Sequence, residues 1–407
     1  MHVLFVTQYF APEVGAAPTR LAATVAGLQQ RGHQVTVLTS LPNHLKGQTY
    51  TGYEGKIFHR EVIDGTPVLR TWAFPAGGRG VKRLINYLSF MTTSTLRGLG
   101  LKGVDLIFYE SPPLFLGLAA TALKKRLNAP VIMNVSDLWP DSVPAVAPDS
   151  VFASGPVMKA GLGLEAFLYA QADLITAVTR GILDGLEAKG IDPDRLAYLP
   201  NGFDPDRFEP RSFRERSRKP MVFLAAGSHG YAHGLEVVVE AAALLRHRHD
   251  VQIRLVGDGP TKQALMGRAR DLELDPNLLR FDDPVPLTAM PGLIAESSAH
   301  LVTLRDDPFF DRTRPARLLP SLACGRPAIF AGRGDVAEEI QSNACGLVVP
   351  PGDPKALAQG IETYADDPVL LRRQGKAAAD YAQREMAWPI LIGRWLERVE
   401  ARLGVSA

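Results

Sequence analysis

The sequence is poor in cysteine: Cys324 and Cys345 are the only two among 407 residues. A disulfide framework or a zinc site needs more thiols at ligand spacing, so both read as packed thiols in a reducing compartment. Net charge is also nearly absent. Lys and Arg number 45 against 43 Asp and Glu, and a formal charge of +2 argues against nucleic acid as a partner. No apolar run reaches the roughly 18 residues that a membrane-crossing helix needs. The opening HVLFVTQYF, residues 2–10, lacks a basic leader, and Gln8 and Glu13 interrupt it early. It reads as a core strand rather than a signal peptide. These absences point to a cytoplasmic protein.

What is present is enough apolar material, 46% of residues, for sizeable cores, on a length that suits two domains. Short apolar, β-branched runs alternate with longer helical patterns. The first half offers HVLFVTQYF, QVTVLTS, TPVLRTW, VDLIFYE, PVIMNVSD, DLITAVT and LAYLPNG; the second offers MVFLAAG, VQIRLVGDG, LLRFDD, AHLVTL, PAIFAG and GLVVPPGD. Most are apolar throughout, as strands buried on both faces are. The expected class is α/β, with two Rossmann-like, doubly wound parallel sheets facing a cleft and ligands at the carboxyl ends of the strands. The polar, proline-containing stretch 203–220 marks the linker. It puts an N-terminal domain at 1–203 and a C-terminal domain at 204–385, with the amphipathic segment 386–407 returning to the first.

In the first domain, Glu13 to Ala17 follow the first strand and precede a helix that carries Arg20. Small residues such as Gly15 let backbone N–H groups approach a ligand, and they equally suit an ordinary tight turn. RGHQVTVLT reads as helix end, glycine stop and next strand. VSDLWPDS puts Asp137, Trp139 and Asp141 directly after a buried strand, with Pro140 restricting Trp139 before it. An indole between two carboxylates suits a sugar ring; a Trp packed under a loop, with an Asp capping the next helix, is the alternative. Residues 79–102 mix five Lys and Arg with Tyr87 and Phe90 and carry no acid. That composition suits an interfacial helix on anionic lipid at the inner face of the cell membrane, and also a solvated helix face.

In the second domain, LAAGSHGYAHGLE runs from a strand into a helix. Gly227, Gly230 and Gly234 would let the backbone curl round a phosphate, with Ser228, His229 and His233 beside it. LVGDGPTKQAL repeats the arrangement with Gly257, Asp258, Gly259 and Lys262, and a plain strand–helix turn fits it as well. RTRPARLLPSLACGRPAI then gathers Arg312, Arg314 and Arg317 at the start of a short apolar helix. Pro315 is expected in its first turn and Gly325 as its stop, while Pro320 must kink it or delay its regular part. Full charges beside free N–H groups suit a diphosphate; a solvated basic loop is the other reading.

TQYFAPEVGAAPTR, RGHQVTVLTSLPN, YESPPL, VSDLWPDS, PNGFD, GSHGYAHGLE, LVGDGP, PARLLPSLACGRP and GLVVPPGD resemble, in order, the landmarks of a retaining GT-B glycosyltransferase of family 4, closest to WbuB-like bacterial polysaccharide enzymes. The resemblance implies transfer of a sugar from a nucleotide sugar, commonly UDP-linked, to a lipid-linked or other glycan acceptor. It implies no bound metal, because protein cations stabilise the leaving diphosphate. Carried over, the Lys of the family's P-S-K becomes Arg317, and Asp137 lies beside the reacting sugar carbon. The implied donor residues are Gly15, Gly227, Ser228, His229, Gly230, His233, Gly257, Lys262, Arg312, Leu318 and Asp335; the implied acceptor residues are Arg20, Trp139 and Asp141. Two family glutamates are replaced here by Arg312 and Pro320, so sugar and ribose contacts fall to Asp311 or Asp335. A sugar-nucleotide 2-epimerase and a degenerate subunit that binds a partner glycosyltransferase are the competing readings. A dehydrogenase fits less well, since neither half shows a full G-x-G-x-x-G with a following acid.

Overall fold

The computed structural model describes all residues except 14, 44–46, 77–79, 144–154, 212–219 and 406–407. Val14 of the small-residue turn, Arg79 of the basic segment and 212–219 of the linker therefore lie outside the described residues. The chain divides into two compact units, Met1–Pro200 with Leu391–Ala407, and Asn201–Ile390.

The first unit is built on an eight-stranded sheet in the order β3-β4-β2-β1-β5-β6-β7-β8. The strands are β1 His2–Val6, β2 Gln34–Ser40, β3 Phe58–Ile63, β4 Thr66–Thr71, β5 Leu106–Ser111, β6 Val131–Val135, β7 Leu174–Ala177 and β8 Leu196–Tyr198. Every pairing is parallel except that of β3 with β4, a hairpin on the edge. The strand list read from the sequence omits β3, and the physical reason is its pattern. FHREVI alternates exposed and half-buried positions, as an edge strand with one free face does, so it carries no apolar run.

Helix Ala16–Gln30 ends at Arg31, with Gly32 in the left-handed region at φ 83°, as the glycine stop predicts. The segment from Leu391 packs on this unit. A Cβ on Gly27 would come 2.3 Å from the Ile392 Cδ1, so a larger residue there would force that side chain to move. Trp395 is fully buried, donates from Nε1 to the Thr176 hydroxyl at 2.9 Å, and meets Phe108 edge-on with ring centroids 5.7 Å apart.

The second unit carries a six-stranded sheet, ordered β11-β10-β9-β12-β13-β14 and parallel throughout. Its strands are β9 Met221–Ala226, β10 Val251–Val256, β11 Leu279–Asp282, β12 Ala299–Thr303, β13 Ala328–Ala331 and β14 Gly346–Val349. The order reverses between β9 and β12, the switch point at which open α/β sheets leave a crevice beyond their carboxyl ends. Helix Leu318–Ala323 is six residues long and starts three residues after Pro315, which stays outside it. Pro320 occupies its first turn, where a missing N–H costs little, so the helix needs no kink.

Candidate functional site

At the strand ends of the first unit, charged side chains are matched to one another. Arg20 forms an ion pair with Glu110 of β5, both nearly inaccessible, and Asn134 of β6 donates to the other Glu110 oxygen at 2.6 Å. Burying two charges is tolerable when each neutralises the other and hydrogen bonds complete the shell. Arg20 is thus anchored inside the unit, which removes it from the surface expected of an acceptor ligand. Asp141 sits 2.5 Å from the Lys189 ammonium, which also holds Glu165 at 2.6 Å. Trp139 packs partly buried against the core, with its ring near Gly161. Asp137 is different. Burial raises its pKa, the Asp141 charge adds to that, and hydrogen bonds from Ser142 and the Leu138 backbone pull it back. Gly15 caps Ala16–Gln30 with no side-chain bond, at a φ of 158° that residues with a side chain rarely adopt.

The second unit gathers its candidates at the switch point. The loops after β9 and β10 press together: Gly227 donates to Val256 at 2.9 Å and His229 to Asp258 at 2.8 Å. A Cβ on Gly257, at φ 148°, would lie 1.9 Å from the Gly227 carbonyl oxygen, so no side chain fits there. Onto this floor comes Arg317, the residue before helix Leu318–Ala323. Its Nη2 donates to the Ser228 carbonyl at 2.6 Å, while Nη1 is buried and has no partner. Burial lowers its pKa to about 10, which still leaves it charged at neutral pH.

Three histidines surround that guanidinium. His229 is wholly inaccessible, with neither ring nitrogen partnered, and its pKa is lowered by burial, then by Arg317 and Lys262. His233 and His300 are both lowered to about 3, by burial first and Arg317 next, and each leaves Nδ1 without a partner. Their rings are neutral at pH 7, so Arg317 supplies full charge among groups that can each donate one hydrogen bond. Unpartnered buried donors cost stability, and an oxygen-rich anion would satisfy them.

The other candidates divide. Lys262 reaches Asp283 at 3.1 Å and the Asp282 carbonyl at 3.3 Å, so its charge is partly balanced. Arg312 is exposed at the end of the 3-10 turn Pro308–Arg312. Arg314, expected beside it on the anion, is buried and paired with Glu339, which also accepts from the Tyr381 hydroxyl. Leu318 is a core residue. Gly230 leads into the turn Tyr231–His233. Asp335 opens helix Asp335–Ser342, and both its carboxylate oxygens are buried and unpartnered. Asp311 instead faces Arg333 at 3.3 Å. His300 was not singled out from the sequence. Its signal was there, a lone imidazole inside the apolar strand AHLVTL, but nothing local distinguishes it from a packed histidine.

Comparisons agree with this architecture. Residues 15–202 match the family described as glycosyl transferase 4-like domain, and residues 220–367 match glycosyl transferases group 1. The putative colanic acid biosynthesis glycosyl transferase WcaI of Escherichia coli is 23% identical over 95% of this chain and 96% of its own. The probable glycosyltransferase WbjE of Pseudomonas aeruginosa is 24% identical over 71% and 72%. Among solved structures, sucrose-phosphate synthase of Thermosynechococcus elongatus superposes with a TM-score of 0.79 at 17% identity, covering 100% of both chains. Anabaena HepE in complex with UDP gives 0.72 at 17% identity, covering 98% of this chain and 100% of that one. The chain belongs to the GT-B glycosyltransferases that join a glycosyl transferase 4-like domain to a group 1 domain.

Proposed function

We propose that this glycosyltransferase is retaining and moves a sugar from a nucleoside-diphosphate sugar, UDP-linked, to a lipid-linked or other glycan acceptor in cell-surface polysaccharide synthesis. One observation carries the reading: the buried, unpartnered Nη1 of Arg317, set among unpartnered imidazole nitrogens on a glycine floor that no Cβ could enter. As the bond from sugar to diphosphate breaks, negative charge grows on the leaving oxygen. A preorganised guanidinium stabilises that charge more than it stabilises the ground state, which lowers the barrier. Gly227, Ser228, Gly230 and Gly257 line the approach. His229, His233 and Arg312 supply further donors, and Asp335 offers an acceptor for a donor hydroxyl. In the first unit we assign the catalytic carboxyl to Asp137. Protein cations take the place of a metal in this scheme, so added chelator should leave turnover unchanged.

The names of relatives support the biosynthetic context: WcaI is described by colanic acid biosynthesis, and HepE was solved with UDP. The test is calorimetric titration with UDP, GDP, ADP and dTDP, repeated on Arg317→Ala. Selective binding of one nucleotide, lost in the variant, is expected. Wild-type affinity in the variant would sink the phosphate role, and no binding to any of the four would favour the partner-subunit reading.

A further inference from the structure

Helix Val81–Gly98 is amphipathic the wrong way round for a helix on a globular domain. The face it buries holds Asn86, Phe90, Ser94 and Gly98, mostly polar or small. That face is well fitted. Asn86 donates to the Phe74 carbonyl at 2.7 Å and accepts from Gln8 at 2.6 Å, and a Cβ on Gly98 would come 2.6 Å from Leu123. The opposite face is apolar and open. Val81, Ile85, Leu88 and Leu96, spaced to form one stripe, are each between 38% and 70% exposed.

The stripe continues onto the edge hairpin. Leu96 and Arg97 share an open groove with Phe58 and Arg60 of β3. Trp72 follows β4, accepts from Thr93 of the helix at 2.7 Å, and donates its own N–H to Ile57 at 2.8 Å. Ile57, Phe58 and Trp72 are all exposed. An apolar surface with two aromatics is larger than scattered exposure would give.

Charge selects the occupant. Helix Val81–Gly98 contains Lys82, Arg83 and Arg97 and no acid, and Arg60 and Lys102 extend the basic rim. Arg83 is held among Tyr9, Tyr87 and the Ala76 carbonyl, while Arg60, Lys82 and Lys102 are exposed and half-buried Arg97 lines the groove. A second copy of the chain docked about a two-fold axis would set this rim against itself, and like charges disfavour that. We infer that the hairpin and helix together form a docking surface for an anionic lipid bilayer, with the apolar stripe and aromatics in the interface and the basic side chains on headgroup phosphates. The inference stands on this surface and not on the donor chemistry.

Co-sedimentation with vesicles tests it, using phosphatidylcholine alone and phosphatidylcholine mixed with phosphatidylglycerol. Wild-type protein should partition onto the mixed vesicles and be released by salt. Ile85→Ser/Leu88→Ser/Leu96→Ser and, separately, Arg60→Glu/Lys82→Glu/Arg97→Glu should each lower that partition roughly tenfold or more. Circular dichroism and the urea midpoint of the same variants report whether each still folds, and nucleotide titration decides the donor reading independently. Three outcomes overturn the inference: no binding to mixed vesicles, equal binding to phosphatidylcholine alone, or binding indifferent to both variants. A concentration-dependent dimer abolished by the serine variant, without vesicle binding, would assign the surface to a second copy instead.

Discussion

The strand ends of the two units treat charge in opposite ways. In the first, Arg20 is closed on Glu110, Arg70 on Glu61, and Lys189 on Asp141 and Glu165. In the second, Arg317 is left with a free buried nitrogen among three neutral histidines, and Asp335 with two free oxygens. The named cations of the first unit are thus matched by carboxylates, while Arg317 of the second keeps a buried nitrogen without a partner. An unpartnered buried donor costs stability that a bound acceptor would recover. That contrast supports placing the proposed donor site in the second unit.

The comparison can be broken from either side. The largest effect is expected in the first unit. Arg20→Ala leaves Glu110 buried without its counter-charge and should cost about 3–5 kcal/mol of stability, read as a fall in the urea midpoint. A cost near zero would mean the pair is not the closed unit described. Arg317→Ala should do the reverse. It removes a desolvated charge, so stability should hold, while nucleotide affinity falls by about 2–3 kcal/mol in calorimetry through loss of charge-assisted bonds.

Acid gives the third test. Folded His233 and His300 titrate near 3, against 6.5 when free, so below pH 6.5 the unfolded chain takes up protons that the folded unit refuses. Stability should therefore fall as pH drops from 6.5 towards 3, by up to about 2 kcal/mol for each histidine at about pH 5. His300→Asn should flatten the dependence of the urea midpoint on pH. The smallest effect is expected for exposed Arg312. Arg312→Ala should change nucleotide affinity by no more than about 1 kcal/mol, the range of exposed charges; a loss equal to that of Arg317→Ala would mean the anion extends to the 3-10 turn.

Much of this was legible in the sequence. Strands buried on both faces need continuous apolar runs, so thirteen of the fourteen could be read directly, and β3 escaped because an edge strand with one free face needs none. The glycine loops were legible too, since a backbone that approaches another within the space of a Cβ must lack one. Partners were not. Arg314 and Arg317 stand three residues apart and look alike in the sequence, yet one pairs with Glu339 while the other donates to the Ser228 carbonyl and keeps a buried nitrogen without a partner.

The sequence by itself determined the two α/β units, the family and the glycine floor, because burial and backbone clearance act on local pattern. Only the tertiary structure decided which cations are spent and which are free, and that helix Val81–Gly98 turns its apolar stripe outward. A charge finds its counter-charge, and a helix its buried face, through contacts made by residues tens to hundreds of positions away, and no local pattern encodes those distances.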